Sequence, residues 1–267
     1  MAHFKLSNIK PKFRKAEFHF QENELEWLGN ILQSHFFNAL SVFIPASERY
    51  VSTIIQQQLP FIADPTLAQN AKVFIQQEGR HAFLHKQCNQ LLKKRYPALA
   101  KIERLQIKVI GVLNKLITVN FRRSIPVSFE HFTANISREF LTNQYHWTQG
   151  NSNVYIDFLH WHCLEELEHQ AVCFDVYRHY HRNPLRIPLC LLFFWLPITI
   201  FSVYGVQAYL LIKDKHLNHP KHWWGFIKFI KKTSHLFYGG TFKYLKKDYQ
   251  PWTHADEVLY RRNLPLD

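Results

Sequence analysis

Apolar side chains recur at helical spacing through most of this chain, and prolines and short polar turns divide it into segments. Residues 1 to 20 are basic and aromatic without a clear period, and predict an irregular arm. A first helix is predicted from Glu22 to about Leu59, stopped by Pro60 and either kinked or divided at Pro45. Asp64-Pro65 reads as the start of a second helix reaching about Tyr96, with Asp capping and proline where its missing N–H costs nothing. An amphipathic stretch from Lys101 to Arg123 leads past Pro126 to a third bundle helix, Val127 to Trp147. After the turn at Gly150 to Asn153, a fourth runs from Val154 to His181 and ends before Asn183-Pro184.

The pattern then changes. Ile187 to Ile212 is a run of 26 residues with no charged side chain, flanked by Arg182, Arg186, Lys213 and Lys215. At about 1.5 Å per residue it exceeds the roughly 30 Å of a bilayer's hydrocarbon core. Pro188 and Pro197 leave open a pair of buried helices instead. From Lys221 to Lys247, Trp223, Trp224, Phe226, Phe229, Phe237 and Tyr244 interleave with lysines, as in a helix lying in a membrane interface. The organisation expected is a helical bundle over residues 1–182 and a hydrophobic, basic-aromatic helical region over 183–267.

Composition favours helix. The chain has 267 residues with 23 Phe, 12 Tyr and 7 Trp but only 8 Gly, few for a fold rich in sheets and turns. Its net charge of +13 suits an anionic surface, and the clustering of basic residues with aromatics around an apolar run points to membrane and not nucleic acid. Cys88, Cys163, Cys173 and Cys190 form no CxxC pair, and no secretory signal is visible, so a reducing compartment is expected: the cytoplasmic side of the inner membrane, or the cytoplasm itself.

The candidate chemistry lies on the four predicted bundle helices. Glu48 and Arg49 are the only charged side chains between Trp27 and Ala63, so Glu48 needs a partner. The second helix offers Glu78 and His81, one Glu-x-x-His on one face. The third carries Glu130, with Glu139 about half a turn round and expected on the exposed side. The fourth carries a second Glu-x-x-His, Glu166 and His169, and places His162 in the same angular sector, while Glu168 should face solvent. Glu, Glu-x-x-His, Glu, Glu-x-x-His on successive helices is the arrangement that holds two metals in ferritin-like bundles. Hard carboxylate oxygens neutralise the ions, and imidazoles fix them without adding charge. His85, one turn beyond His81, and His131, beside Glu130, are candidates to support the ligands.

The stretches Phe43 to Tyr50, Gln77 to His81, Glu130 to Thr133 and Trp161 to His169 resemble the bacterial family of predicted metal-dependent hydrolases, over roughly Phe36 to Tyr180. His162-x-x-x-Glu166-x-x-His169 is more distantly similar to the ferritin-like di-iron N-oxygenases of aryl amines. Carried over residue by residue, that likeness implies Glu48, Glu78, His81, Glu130, His162, Glu166 and His169 as ligands, and related bundles imply that Glu165 hydrogen-bonds a ligand histidine on another helix.

The resulting expectation is an all-α, ferritin-like four-helix bundle with a di-metal core and a C-terminal helical appendage. Its leading function is a membrane-associated di-iron oxygenase or oxidase, using O2 and an electron donor on an apolar or amphipathic substrate. The alternatives are hydrolysis of an ester or phosphoester by two metals, with Mn, Zn or a mixed pair in place of iron, and a non-enzymatic metal-binding membrane protein.

Overall fold

The computed structural model describes residues 6, 7, 9–22, 26–180 and 183–264, and among these the chain is all-α, without a strand. Helix α1 is Ile31–Gln58, capped by Asn30, whose side-chain oxygen accepts from the N–H groups of Leu32 and Gln33 at 2.9 and 3.3 Å. The helix therefore starts later than Glu22. Gly29 takes φ 81°, and a Cβ there would stand 2.5 Å from Asn151 Nδ2, so the chain must turn at that glycine. Residues 23–25 of the predicted helix lie outside the described residues.

Pro45 does not divide α1, and its surroundings give the reason. A proline leaves the carbonyl four residues earlier without its helical donor. That carbonyl belongs to Ser41, and the Asn89 amide of the next helix donates to it at 2.6 Å.

Helix α2 is Pro65–Arg95, with the Asp64 carboxylate accepting from Leu67 N–H at 2.8 Å. Helix α3 is Leu99–Leu116, and α4 is Ile125–Thr142 with Pro126 in its first turn. The predicted extension of α4 to Trp147 is broken at Asn143, and Gln144–Thr148 forms a separate short helix. Helix α5 is Val154–Tyr180, His181 lying outside the described residues. It has scarcely any solvent face between Tyr155 and Tyr177, as befits a central helix. Helix α6 is the continuous helical run Arg186–Lys213, whose π-helical turns at Leu191–Trp195 and Ile200–Tyr204 flank Pro197. Helices α7, Pro220–Thr233, and α8, His254–Asn263, complete the major elements.

Helix α1 packs on α2, α4 on α5, α2 on α5 and α1 on α4, while α6 lies against α1 and α4. One apolar cluster joins Phe36, Phe43, Phe129 and Phe132 to Trp195, Val203, Leu210 and Phe237, so one side of α6 belongs to the same core as the bundle. Trp195 is fully buried and donates its indole N–H to Ile125 O at 3.1 Å. Truncating such a residue costs about 3–5 kcal/mol. This packing holds the ligand-bearing helices in register.

Candidate metal centre

The side chains of Glu48 on α1, Glu78 and His81 on α2, Glu130 on α4, and His162, Glu166 and His169 on α5 meet in the interior, each at most 5% exposed. Glu166 is their hub. Its Oε1 lies 3.0 Å from His162 Nε2 and 3.4 Å from both His81 Nδ1 and His169 Nδ1. Glu48 approaches His81 and His162 at 3.6 and 3.7 Å, and Glu78 approaches His169 at 2.8 Å. Two groups suited to a cation follow, Glu48 with His81, His162 and Glu166, and Glu78 with His81, Glu166 and His169. Glu130 belongs to neither at that spacing, but its Oε2 is 3.7 Å from His169 Nδ1.

The far nitrogen of each histidine is held, which fixes where the near one points. His81 Nε2 lies 3.0 Å from Glu165 Oε2, and the carboxylate can only accept, so His81 donates there and Nδ1 is the nitrogen turned to the cluster, where it can take a metal or a proton. His169 Nε2 likewise donates to Gln77 Oε1 at 3.3 Å. For His162 the chain is longer. The Ser41 hydroxyl donates to Asn89 Oδ1 at 2.8 Å and so accepts from His85 Nδ1, also at 2.8 Å. That leaves His85 Nε2 to accept from His162 Nδ1 at 3.0 Å, and the His162 Nε2 lone pair faces Glu166.

Electrostatics point the same way. Burial pushes the carboxyls of Glu48, Glu78 and Glu130 upward, Glu48 and Glu130 strongly, and neighbouring carboxylates add to it. Burial opposes ionisation of Glu166 too, but His169, His162 and His81 outweigh it and hold that group well below its usual range. Burial likewise opposes charge on His81 and His169, but the carboxylates facing them outweigh it and push both well above the usual histidine range, so without metal these two imidazoles carry protons that bound cations would displace. Burial and the neighbouring His81 push His162 down to about 4, keeping it neutral. A neutral nitrogen lone pair and a carboxylate oxygen thus face each other at 3.0 Å, an arrangement that only a cation between or beside them makes favourable. Both oxygens of Glu48, Glu78 and Glu166, Oε1 of Glu130, and Nδ1 of His81 and His169 have no hydrogen-bond partner within the protein. Buried polar atoms are ordinarily satisfied, so this set fits bound metal.

The family model described as predicted metal-dependent hydrolase matches residues 12–255. The chain belongs to that family. No curated protein and no solved structure matches it. The match to the predicted metal-dependent hydrolases runs through the N-terminal arm, all the bundle helices and α6, well beyond the Phe36 to Tyr180 stretch that carries the motifs.

Around the cluster the positions differ in part from the sequence expectations. Glu165, beneath His81, is also 3.3 Å from Arg14, and although burial opposes ionisation, His81 and Arg14 hold its carboxyl low. His85 stands behind His162. His131 is turned away: its bonds run to Gly239 O, Gln170 and Tyr244, and burial pushes it down to about 4. Glu168 is not solvent-facing but buried, 2.9 Å from both Arg14 Nη2 and Gln77 Nε2, because the arm and Tyr260 of α8 cover that side. Glu139 is only half-exposed. Gln77 and Arg14 were missed by sequence reasoning. Gln77 sits inside the Gln77 to His81 motif, but its partner His169 is 92 positions away; Arg14 lies in an arm without periodicity and carries no signal.

An apolar pocket adjoins the centre on the His162 and Glu166 side. Trp27, Phe37, Leu40, Ile44, Phe132 and Phe158 line it, and the ligand helices add the hydroxyl-bearing Ser41, Thr133, Ser137 and Tyr155.

Proposed function

We propose that this member of the predicted metal-dependent hydrolases uses a two-metal centre, held by Glu48, Glu78, His81, Glu130, His162, Glu166 and His169, to cleave an ester or phosphoester bearing an apolar chain. Hydrolysis rests on the family match, and the apolar pocket ending at His162 and Glu166 is the observation that supports a substrate with an apolar chain. Bound there, two ions would supply the charge that polarises the scissile group and lowers the pKa of water or, if both were iron, the electrons that reduce O2.

The protein's own residues do the rest. Phe37, Leu40, Ile44 and Phe132 bind the chain and exclude water, which strengthens every charge interaction at the ligand end. Thr133 donates to Glu130 Oε2 at 3.2 Å, orienting that carboxylate beside the pocket. Glu165, Gln77 and His85 keep the protons of His81, His169 and His162 on the nitrogens facing away from the centre.

A second reading, a di-iron oxygenase or oxidase drawing on O2 and an electron donor, is favoured by the same pocket, whose apolar lining would suit an unactivated chain. The family match favours hydrolysis. Metal-stripped protein reloaded separately with zinc, manganese and ferrous iron separates the two, when assayed under argon on p-nitrophenyl acyl esters and phosphodiesters. Metal-restored, chain-length-dependent release of p-nitrophenol supports hydrolysis. Failure with every metal and ester, together with reductant-dependent O2 uptake by the iron form, overturns it in favour of the second reading.

A further inference from the structure

One side of α6 is core, and the other is left exposed by the described residues. Ile187, Leu191, Trp195, Val203, Leu210 and Leu211 are at most 1% exposed, whereas Phe193 and Phe201 are 75% and 80% exposed. No charged residue falls between 187 and 212, so the outer side of α6 carries no charge, with Ser202 a half-exposed hydroxyl on it. It is not alone: a groove joins it to α3, lined by Ile102, Leu105 and Val109 on one wall and Pro197, Phe201 and Val206 on the other.

On α3, Leu105, Val109, Val112 and Leu116 are exposed, Leu116 by 75%. At about 100° per residue these positions fall within a sector of about 60°. Lys101, Arg104, Lys108 and Lys115, all exposed, form the adjoining stripe on the side away from the core. The one acidic residue of α3, Glu103, is taken up by Lys93 at 2.5 Å. An apolar stripe beside a basic stripe, with no free acid, is the side-chain order of a helix lying in the headgroup layer of an anionic membrane. Helix α7 repeats it, exposing Trp223, Trp224 and Ile227 among Lys221, Lys228, Lys231 and Lys232.

We infer that the α3–α6 face seats the protein on one leaflet of an anionic phospholipid bilayer, with α6 lying along the interface and not crossing it. Crossing would require lipid around Trp195 and Leu210, which the bundle already covers, and around Leu211, which packs with Leu217 and Phe226. Contiguous exposed apolar helix faces mark an interaction surface, and the bordering basic stripe selects negatively charged lipid over a neutral partner. The inference is independent of the reaction at the metal centre.

Vesicle flotation of the full chain tests it, using phosphatidylcholine vesicles with and without phosphatidylglycerol. The protein should float with the anionic vesicles and much less with the neutral ones, and salt that shortens the Debye length to about 3 Å should weaken but not abolish the binding. Replacing Phe193 and Phe201 with serine removes only exposed rings, so fold and metal content should persist while vesicle affinity falls more than tenfold. The triple variant Arg104→Glu, Lys108→Glu, Lys115→Glu should lose the preference for phosphatidylglycerol. Wild-type protein that stays unbound with anionic vesicles overturns the proposal, as does a serine variant that floats equally well. A wild-type dimer that the serine variant converts to monomer, without vesicle binding by either, would assign the face to a second copy and equally overturn it.

Discussion

Glu166→Gln is the substitution from which most follows. The change keeps the shape of the side chain and removes one charge from the point where His81, His162 and His169 converge at 3.4, 3.0 and 3.4 Å. Glu166 belongs to both groups suited to a cation, so both ion positions lose a donor. Altering even a residue that merely supports a ligand costs about 10–100-fold in metal affinity, and loss of a shared carboxylate should exceed the upper end, about 2.8 kcal/mol per ion. Within the metal-free protein, removing one partner of buried charge pairs costs a further 3–5 kcal/mol, roughly. The assay is dialysis against metal buffers followed by elemental analysis, with Glu257→Gln as the control, a surface residue remote from the cluster and paired with Arg261 at 2.7 Å. The control should match wild type and Glu166→Gln should fall below one equivalent. Two equivalents in the variant, with affinity within about threefold of wild type, would refute the assignment of Glu166 as the shared ligand.

Other changes probe the surroundings. Glu165→Gln leaves His81 Nε2 without its charged acceptor and should lower metal affinity about 10–100-fold with helical content unchanged, which metal titration and circular dichroism check together. Leu40→Trp should fill the pocket and shift the preferred ester to a shorter chain, raising KM for long chains at an overpacking cost of about 1–3 kcal/mol. Asp175, beneath Ser7, is raised by burial from 3.8 to about 7. The folded state then binds its proton more tightly, so this stability is complete below about pH 4 and is lost as pH rises through about 7. The difference in thermal stability between wild type and Asp175→Asn should change across that window by at most about 4 kcal/mol, and a constant difference would contradict the burial argument.

The helices that carry the centre were legible because their signals are local. Asp64-Pro65 caps α2, the turn at Gly150 precedes α5, and the Glu-x-x-His spacing places two side chains on one face whatever the tertiary packing. What escaped depends on contacts between distant segments. Pro45 looks like a breaker until Asn89, 48 positions beyond Ser41, replaces the missing donor. Glu168 looks solvent-facing until Arg14 and Tyr260, from opposite ends of the chain, close over it. His131 adjoins Glu130 in sequence, but successive residues on a helix face different ways, and Gly239 and Tyr244 claim its ring. The apolar run of α6 has the composition of a bilayer span, and only tertiary packing reveals that one side of it is core.

The central claim is that the buried glutamates and histidines hold two metal ions at once. Anomalous diffraction from crystals of the metal-loaded protein, recorded on both sides of the metal's absorption edge, tests it directly. Two adjacent peaks should appear, one among Glu48, His81, His162 and Glu166, the other among Glu78, His81, Glu166 and His169, with Glu130 beside the second. A single peak, or peaks only at surface histidines, would contradict it.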